Sequence, residues 1–225
     1  MHAAYLLHSR NYTDSRRLVE VFSPSFGRIR GVLRLGKGKN KGLPQLFTPL
    51  EAAWFGHGEL KNISSFEPSR PPFYLQGTAL HCGLYLNELL VRALHSEEDY
   101  SQLFDMYEYS LALLAANSEP EPVLRRFELS LLNSLGYGIV FDSDIEGNPI
   151  EDENECWYRY DVGTGFVACP SRNQVDLLLN GKQLHQLAAM SFEDSSTRTM
   201  AKRICRLALK NIIGDKPLKS RELFQ

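Results

Sequence analysis

The chain has 225 residues, of which 43% are hydrophobic and 23% charged, and its formal net charge is −2. These are the proportions of an ordinary globular protein long enough to bury a sizeable core, and they exclude low-complexity disorder. No apolar run approaches the ~18–20 residues that cross a bilayer, and Met1–His8 is too short and too polar for a signal peptide. Together these predict a cytoplasmic protein with no membrane partner.

Residues 1–67 read as five short strands. Ala3–Leu7 is followed by a polar turn at Ser9–Ser15 and by Arg17–Phe22, and Ser25-Phe26-Gly27 then turns the chain into Arg28–Leu35. Thr48–Phe55 and Leu60–Glu67 are joined by Gly56-His57-Gly58. In the third strand Arg28, Arg30 and Arg34 share one parity, while Ile29, Leu33 and Leu35 share the other, so one face is basic. The loop Gly36–Pro44 extends that face with Lys37, Lys39 and Lys41. Five short strands carrying a basic face predict a small barrel of the OB type.

Pro68, Pro71 and Pro72 mark a boundary, after which the apolar period becomes helical. Phe73–Ala93, Tyr100–Asn117 and Pro122–Leu135 are predicted helices. Tyr137–Cys169 is irregular and acidic, with a hairpin at Trp157–Tyr160 and Gly165–Ala168. Ser196–Ile213 is a further helix, and Ser220–Phe224 a short helical stretch. The expected fold is therefore α+β: residues 1–70 form a five-stranded OB-fold barrel. Residues 71–225 form a mainly helical domain with a small β-hairpin inserted at about 137–170.

The small net charge conceals three blocks of alternating sign. Residues 1–70 carry eleven Lys/Arg against five Asp/Glu, a net +6. Residues 71–197 carry six against twenty, a net −14, and residues 198–225 carry eight against two, again +6. Two basic ends around an acidic middle point to a polyanion held by two surfaces. Nucleic acid is bound chiefly by neutralising phosphates, which needs Lys and Arg on one surface. The candidate contacts are Arg28, Arg30, Arg34, Lys37, Lys39 and Lys41 in the barrel, and the four-residue stripe Arg198, Lys202, Arg206 and Lys210 in the last long helix. The stripe also fits an ordinary solvated face opposite buried Ala201, Ile204, Cys205, Ala208 and Ile212. Tyr12, Phe22, Phe26 and Phe47 are of the type that stacks bases, although the barrel core is the favoured place for Phe22 and Phe47.

The catalytic inventory is poor. Gly31–Gly36–Lys37 has the spacing of a phosphate-binding loop, but Gly38 stands where Ser or Thr should hold magnesium, and no helix opens after it. The histidines lie in unrelated contexts, without a nucleophile nearby. Cys82, Cys156, Cys169 and Cys205 are widely spaced, which argues against a disulfide framework, and Cys82 and Cys205 read as small buried hydrophobes. Glu151, Asp152, Glu153 and Glu155 form an acidic run, read as a solvated face ahead of a metal site. The chain is therefore read as no enzyme. The alternatives are a metal-dependent nucleic-acid enzyme using that acidic loop, or a protein-only scaffold. Arg125 and Arg126 open a helix where cations oppose the macrodipole. Either an internal salt bridge or the anionic end of a bound peptide would keep one there.

Several segments, in order along the chain, resemble the RecO family of bacterial recombination mediators. They are Leu46-Phe47-Thr48-Pro49-Leu50, Gly58-Glu59-Leu60-Lys61, Tyr85–Leu90, Leu124–Leu129 running into Leu135–Gly138, and most specifically Lys216–Phe224. The resemblance implies an OB-fold followed by a helical domain. It also implies binding of single- and double-stranded DNA, annealing of complementary strands, and help in loading RecA onto strands coated with single-stranded-DNA-binding protein (SSB). The implied partners are RecR and the acidic C-terminal tail of SSB, with RecA engaged indirectly and the nucleoid as the place of action. Carried onto this chain, the tail-binding arginine falls at Arg125, with Leu129 on the apolar wall one turn later. Some relatives hold zinc through four cysteines near residues 140–170. Only Cys156 and Cys169 occur here, so no metal and no cofactor is expected.

Overall fold

The five N-terminal strands roll into a closed barrel because one side of each strand is apolar and can be buried only by facing the others. In the computed structural model, which describes residues 1–36, 42–153, 155–169 and 177–224, they are β1 (His2–Thr13), β2 (Arg16–Ser23), β3 (Gly27–Arg34), β4 (Leu50–Phe55) and β5 (Leu60–Pro68). Their order around the barrel is β1-β2-β3-β5-β4, with β4 also paired to β1. All neighbours are antiparallel except β3 and β5. This is the OB topology, so the expected α+β class with an N-terminal five-stranded barrel holds. Ala4, Leu6, Val19, Val21, Ile29, Leu50, Ala52 and Ile63 fill the interior.

β1 runs through the segment Ser9–Ser15 expected to be a turn, leaving only Asp14 and Ser15 to reverse the chain. Register shifts at Leu6/His8 and Asn11/Thr13 let the polar half continue as strand on the rim.

Four consecutive residues of β1, Ala4–Leu7, are buried, because helices cover the outside of the barrel there. These are α1 (Gly77–Ala93) and α2 (Ser101–Ala115), which pack on β1 and β2 respectively. Tyr5 and Phe22 point outward into this layer, with ring centroids 5.0 Å (Tyr5–Tyr107) and 5.2 Å (Phe22–Phe104) apart. Asn87 Nδ2 donates to the Leu7 carbonyl at 3.0 Å, and Asn87 Oδ1 accepts from Tyr107 Oη at 2.6 Å, so both ends of this buried amide are satisfied. The core placement expected for Phe22 and Phe47 is corrected accordingly. Both are buried, but between barrel and helices: Phe47 lies against Gly83 of α1, where an added Cβ would sit 2.9 Å from its ring.

The first compact unit is Met1–Pro120 together with Lys216–Gln225, and the second is Glu121–Asp215. The returning segment is clamped to α1. Glu88 accepts from the Lys219 amide (2.9 Å), the Ser220 amide (2.8 Å) and Ser220 Oγ (2.6 Å) at the start of a 3₁₀ helix, Lys219–Phe224. Burial alone would push the Glu88 carboxyl up, but these hydrogen bonds outweigh it and hold it below the usual range. Arg92 Nη1 donates to the Lys216 carbonyl at 2.7 Å.

In the second unit α3 (Pro120–Ser134) precedes a three-stranded sheet of order β7-β6-β8. Its strands are β6 (Trp157–Asp161), β7 (Gly165–Ala168) and β8 (Leu178–Asn180). The hairpin of β6 and β7 is the expected one; β8 and the next helix, α4 (Gly181–Ala188), were not anticipated. Asn180 and Gln183 make a reciprocal capping box at the start of α4. α5 (Ser195–Ile213) packs on α4, and Phe166 forms the centre of an aromatic group with Phe141 (5.7 Å) and Tyr160 (5.1 Å). Cys82 and Cys205 are buried and in no disulfide, in keeping with their reading as small hydrophobes.

Candidate nucleic-acid interface

Ile29 and Leu33 face the barrel interior, so Arg28, Arg30 and Arg34 face outward, as the parity of the strand required. Cross-strand register decides what each arginine meets there. Glu20 lies opposite Arg30, and its carboxylate reaches Arg30 Nε at 3.3 Å and Arg28 Nε at 3.9 Å. Arg28 also donates to the Val91 carbonyl. Burial pushes the Glu20 carboxyl up, and Arg28, Arg30 and His8 offset this only in part. Two of the expected contacts therefore share one acid.

Arg34 is exposed and lies opposite Arg16, itself exposed, and Arg10 is exposed on the same outer face, opposite Leu18. Arg10 and Arg16 were missed in the sequence because their place on this face depends on pairing between strands, which periodicity within one strand cannot supply. In OB barrels this outer face, around strands 2 and 3, is where oligonucleotides bind. Lys37, Lys39 and Lys41 lie outside the described residues. Of the expected stacking aromatics, Tyr12 is 55% exposed. Phe26 instead packs edge-on to His2 (4.7 Å) and Trp54 (5.4 Å).

The α5 stripe is partly neutralised within its own unit. Glu121 pairs with Lys202 at 2.9 Å and Arg198 at 3.9 Å, and Asp215 pairs with Lys210 at 3.0 Å. Arg206 is exposed. The hydrogen bond from Lys202 is the main cause that holds the Glu121 carboxyl below the usual range.

Arg125 is 4% exposed and donates to Glu128, which is 0% exposed, at 2.8 Å. The internal salt bridge that was one of the two sequence readings is therefore present. Arg125 Nε and Nη1 are buried with no hydrogen-bond partner. Leu129 lines a cavity of about 350 Å³ with Asn133, Ile139, Val140, Phe141 and Met190. The neighbouring Arg126 lies 5.5 Å above the Phe192 ring and donates to the Met190 carbonyl at 3.3 Å.

In the acidic loop, Glu151, Glu153 and Cys156 bring their ligand atoms together, both carboxylates being exposed. The Cys156 thiol donates to Glu151 at 2.9 Å, and this bond, with the surrounding carboxylates, pushes it up to about 11.

Fold and surface together define an OB-fold protein with an arginine-bearing outer face, followed by a mixed helical and β-hairpin region. Comparison with known proteins makes this particular. The chain matches the family models "Recombination protein O N terminal" over residues 1–72 and "Recombination protein O C terminal" over residues 75–222. It is 42% identical over 228 residues to the DNA repair protein RecO of Pectobacterium atrosepticum, covering 99% of this chain and 91% of the relative. It is 43% identical over 222 residues to the protein of that name in Pseudomonas aeruginosa, covering 99% and 93%. The Coxiella burnetii protein is 38% identical over 225 residues, covering 98% and 96%. The chain belongs to the RecO family, and its role lies in recombination and DNA repair. Among the described residues no helix is long and apolar enough to cross a membrane.

Proposed function

We propose that this chain binds single- and double-stranded DNA through the outer face of its barrel, anneals complementary strands and, with RecR, helps load RecA onto SSB-coated single strands. The carrying observation is the exposed group Arg10, Arg16 and Arg34 on the oligonucleotide-binding face of an OB barrel. Annealing by such a surface is physical rather than covalent. Neutralising the phosphates of two strands lowers their repulsion and lets complementary bases find each other. Such a reading places the protein in the cytoplasm at the nucleoid and gives it no catalytic residue and no cofactor. Lys37, Lys39 and Lys41 extend the proposed track, and the α5 stripe, led by Arg206, is the proposed second contact. The acidic tail of SSB is proposed to bind at Arg125 and Leu129. The two guanidinium donors without a partner suit its carboxylate, and the Leu129 cavity suits an apolar terminal side chain.

The test is fluorescence anisotropy of a labelled oligonucleotide through a salt series, followed by addition of the complementary strand. Expected are tight, steeply salt-dependent binding and accelerated duplex formation. No binding at low salt would overturn the proposal in favour of a scaffold for acidic proteins, and magnesium-dependent cleavage would favour the nuclease alternative. Glu20 supplies a sharper check. Replacing it by Gln releases Arg28 and Arg30, so the salt slope is expected to steepen by about 0.7–0.9 for each arginine that gains a phosphate. An unchanged slope would place those two arginines off the DNA path.

A further inference from the structure

Phe55, at the end of β4, is 62% exposed, whereas its neighbour Trp54 turns inward to His2 at 4.8 Å and Phe26 at 5.4 Å. A single exposed phenylalanine is unremarkable in itself; the surroundings of this one are particular. Strand register places Phe55 opposite Asn62, Asn62 opposite Val32, Val32 opposite Leu18 and Leu18 opposite Arg10. The ring therefore stands on the outer face that carries the arginines, two strand spacings, about 10 Å, from Val32. Arg30 and Arg34 flank Val32 on the same side of β3. Leu60, 44% exposed and opposite Arg30, extends the apolar surface beside it.

The hairpin tip leaves the ring open. Gly56 (φ 104°) and Gly58 (φ 86°) reverse the chain directly after Phe55, in backbone conformations that side-chain-bearing residues rarely adopt. Electrostatics set a direction. Of the carboxylates on β4, β5 and their tip, Glu51 and Glu67 pair at the far end of the two strands, four residues along β4 from Phe55, and Glu59 is in the tip. A phosphate chain crossing from Arg16 and Arg34 to Phe55 avoids the Glu51–Glu67 pair.

We propose that Phe55 is a base-stacking platform, and that this face prefers unpaired over paired strands because only an unpaired base can leave its neighbours and lie on the ring. The inference rests on the DNA-binding reading above and adds to it the state of the nucleic acid. Arginines hold phosphates of either form; an exposed ring beside them selects the single strand.

The experiment is anisotropy with a mixed-sequence single strand and with the matching duplex, each over a salt series, for the wild-type chain and for Phe55→Ala, Phe55→Leu and Phe55→Trp. Single-strand affinity is expected to fall about 5- to 150-fold in Phe55→Ala, the range for removing one stacked base. Its salt slope is expected to stay unchanged, and duplex affinity to stay within about two-fold. Phe55→Leu should lose as much as Phe55→Ala, since it keeps apolar bulk without a ring. Phe55→Trp should retain binding, and oligonucleotide should quench its emission beyond any change in a wild-type chain that has only Trp54 and Trp157. Undiminished single-strand binding in Phe55→Ala and Phe55→Leu would overturn the platform while leaving the arginine face intact, and so would equal loss on duplex. A wild-type chain that binds neither form would overturn the DNA reading itself.

Discussion

Reversing the charge of Arg16 and Arg34 together is expected to flatten the dependence of log K on log salt by about 1.5, since each phosphate contact contributes ~0.7–0.9 to the slope. Both residues are exposed and lie opposite each other on the outer face. Reversal should therefore leave the fold intact, as near-wild-type thermal melting would show. The same change at Arg28 and Arg30 should alter the slope less and the stability more. Those guanidiniums already share Glu20, which is only 13% exposed in its side chain, and reversal would place like charges together at a half-buried site. Equal slope changes for the two pairs would show that Glu20 does not screen its neighbours.

Breaking the Arg125–Glu128 pair is expected to have the largest effect on stability. Removing either partner leaves an uncompensated charge in a buried place, which typically costs ~3–5 kcal/mol. At ~2–4 °C for each kcal/mol, Glu128→Ala should lower the melting temperature of the chain by ~6–20 °C. Replacing both, as Arg125→Met with Glu128→Leu, should be close to neutral. This double variant is also the clean test of the proposed tail site. A stably folded protein that no longer binds a peptide ending in Phe, yet binds DNA, would assign the peptide carboxylate to Arg125. Undiminished peptide binding would move that role to Arg126, which stands over Phe192 beside the Leu129 cavity.

The barrel was legible from five short strand-like runs separated by turn signals, and its basic face from β3, where Arg28, Arg30 and Arg34 share one parity and Ile29 and Leu33 the other. Register was not legible. It depends on where two strands start relative to each other, and it decides both that Glu20 faces Arg30 and that Phe55 shares a face with Arg34. α4 escaped because eight residues give little helical period; its usable mark was Asn180 three residues before Gln183. Phe22 was misplaced for a different reason. An apolar residue on the polar parity of β2 signals a second covering layer, here α2, rather than the barrel interior.

The return of Lys216–Phe224 to α1 has a consequence in time. The first unit is assembled from two stretches of sequence with residues 121–215 between them. At the ~5–20 residues per second of synthesis, the ribosome needs ~5–20 s to translate that interval. Meanwhile the nascent barrel and its first two helices wait with the Glu88 carboxylate unmet and the seat of Leu218 empty. Completion of the first unit thus waits on a segment translated only after the whole of residues 121–215. A ribosome that stalls after Asp215 would release a protein whose finished half had never been closed.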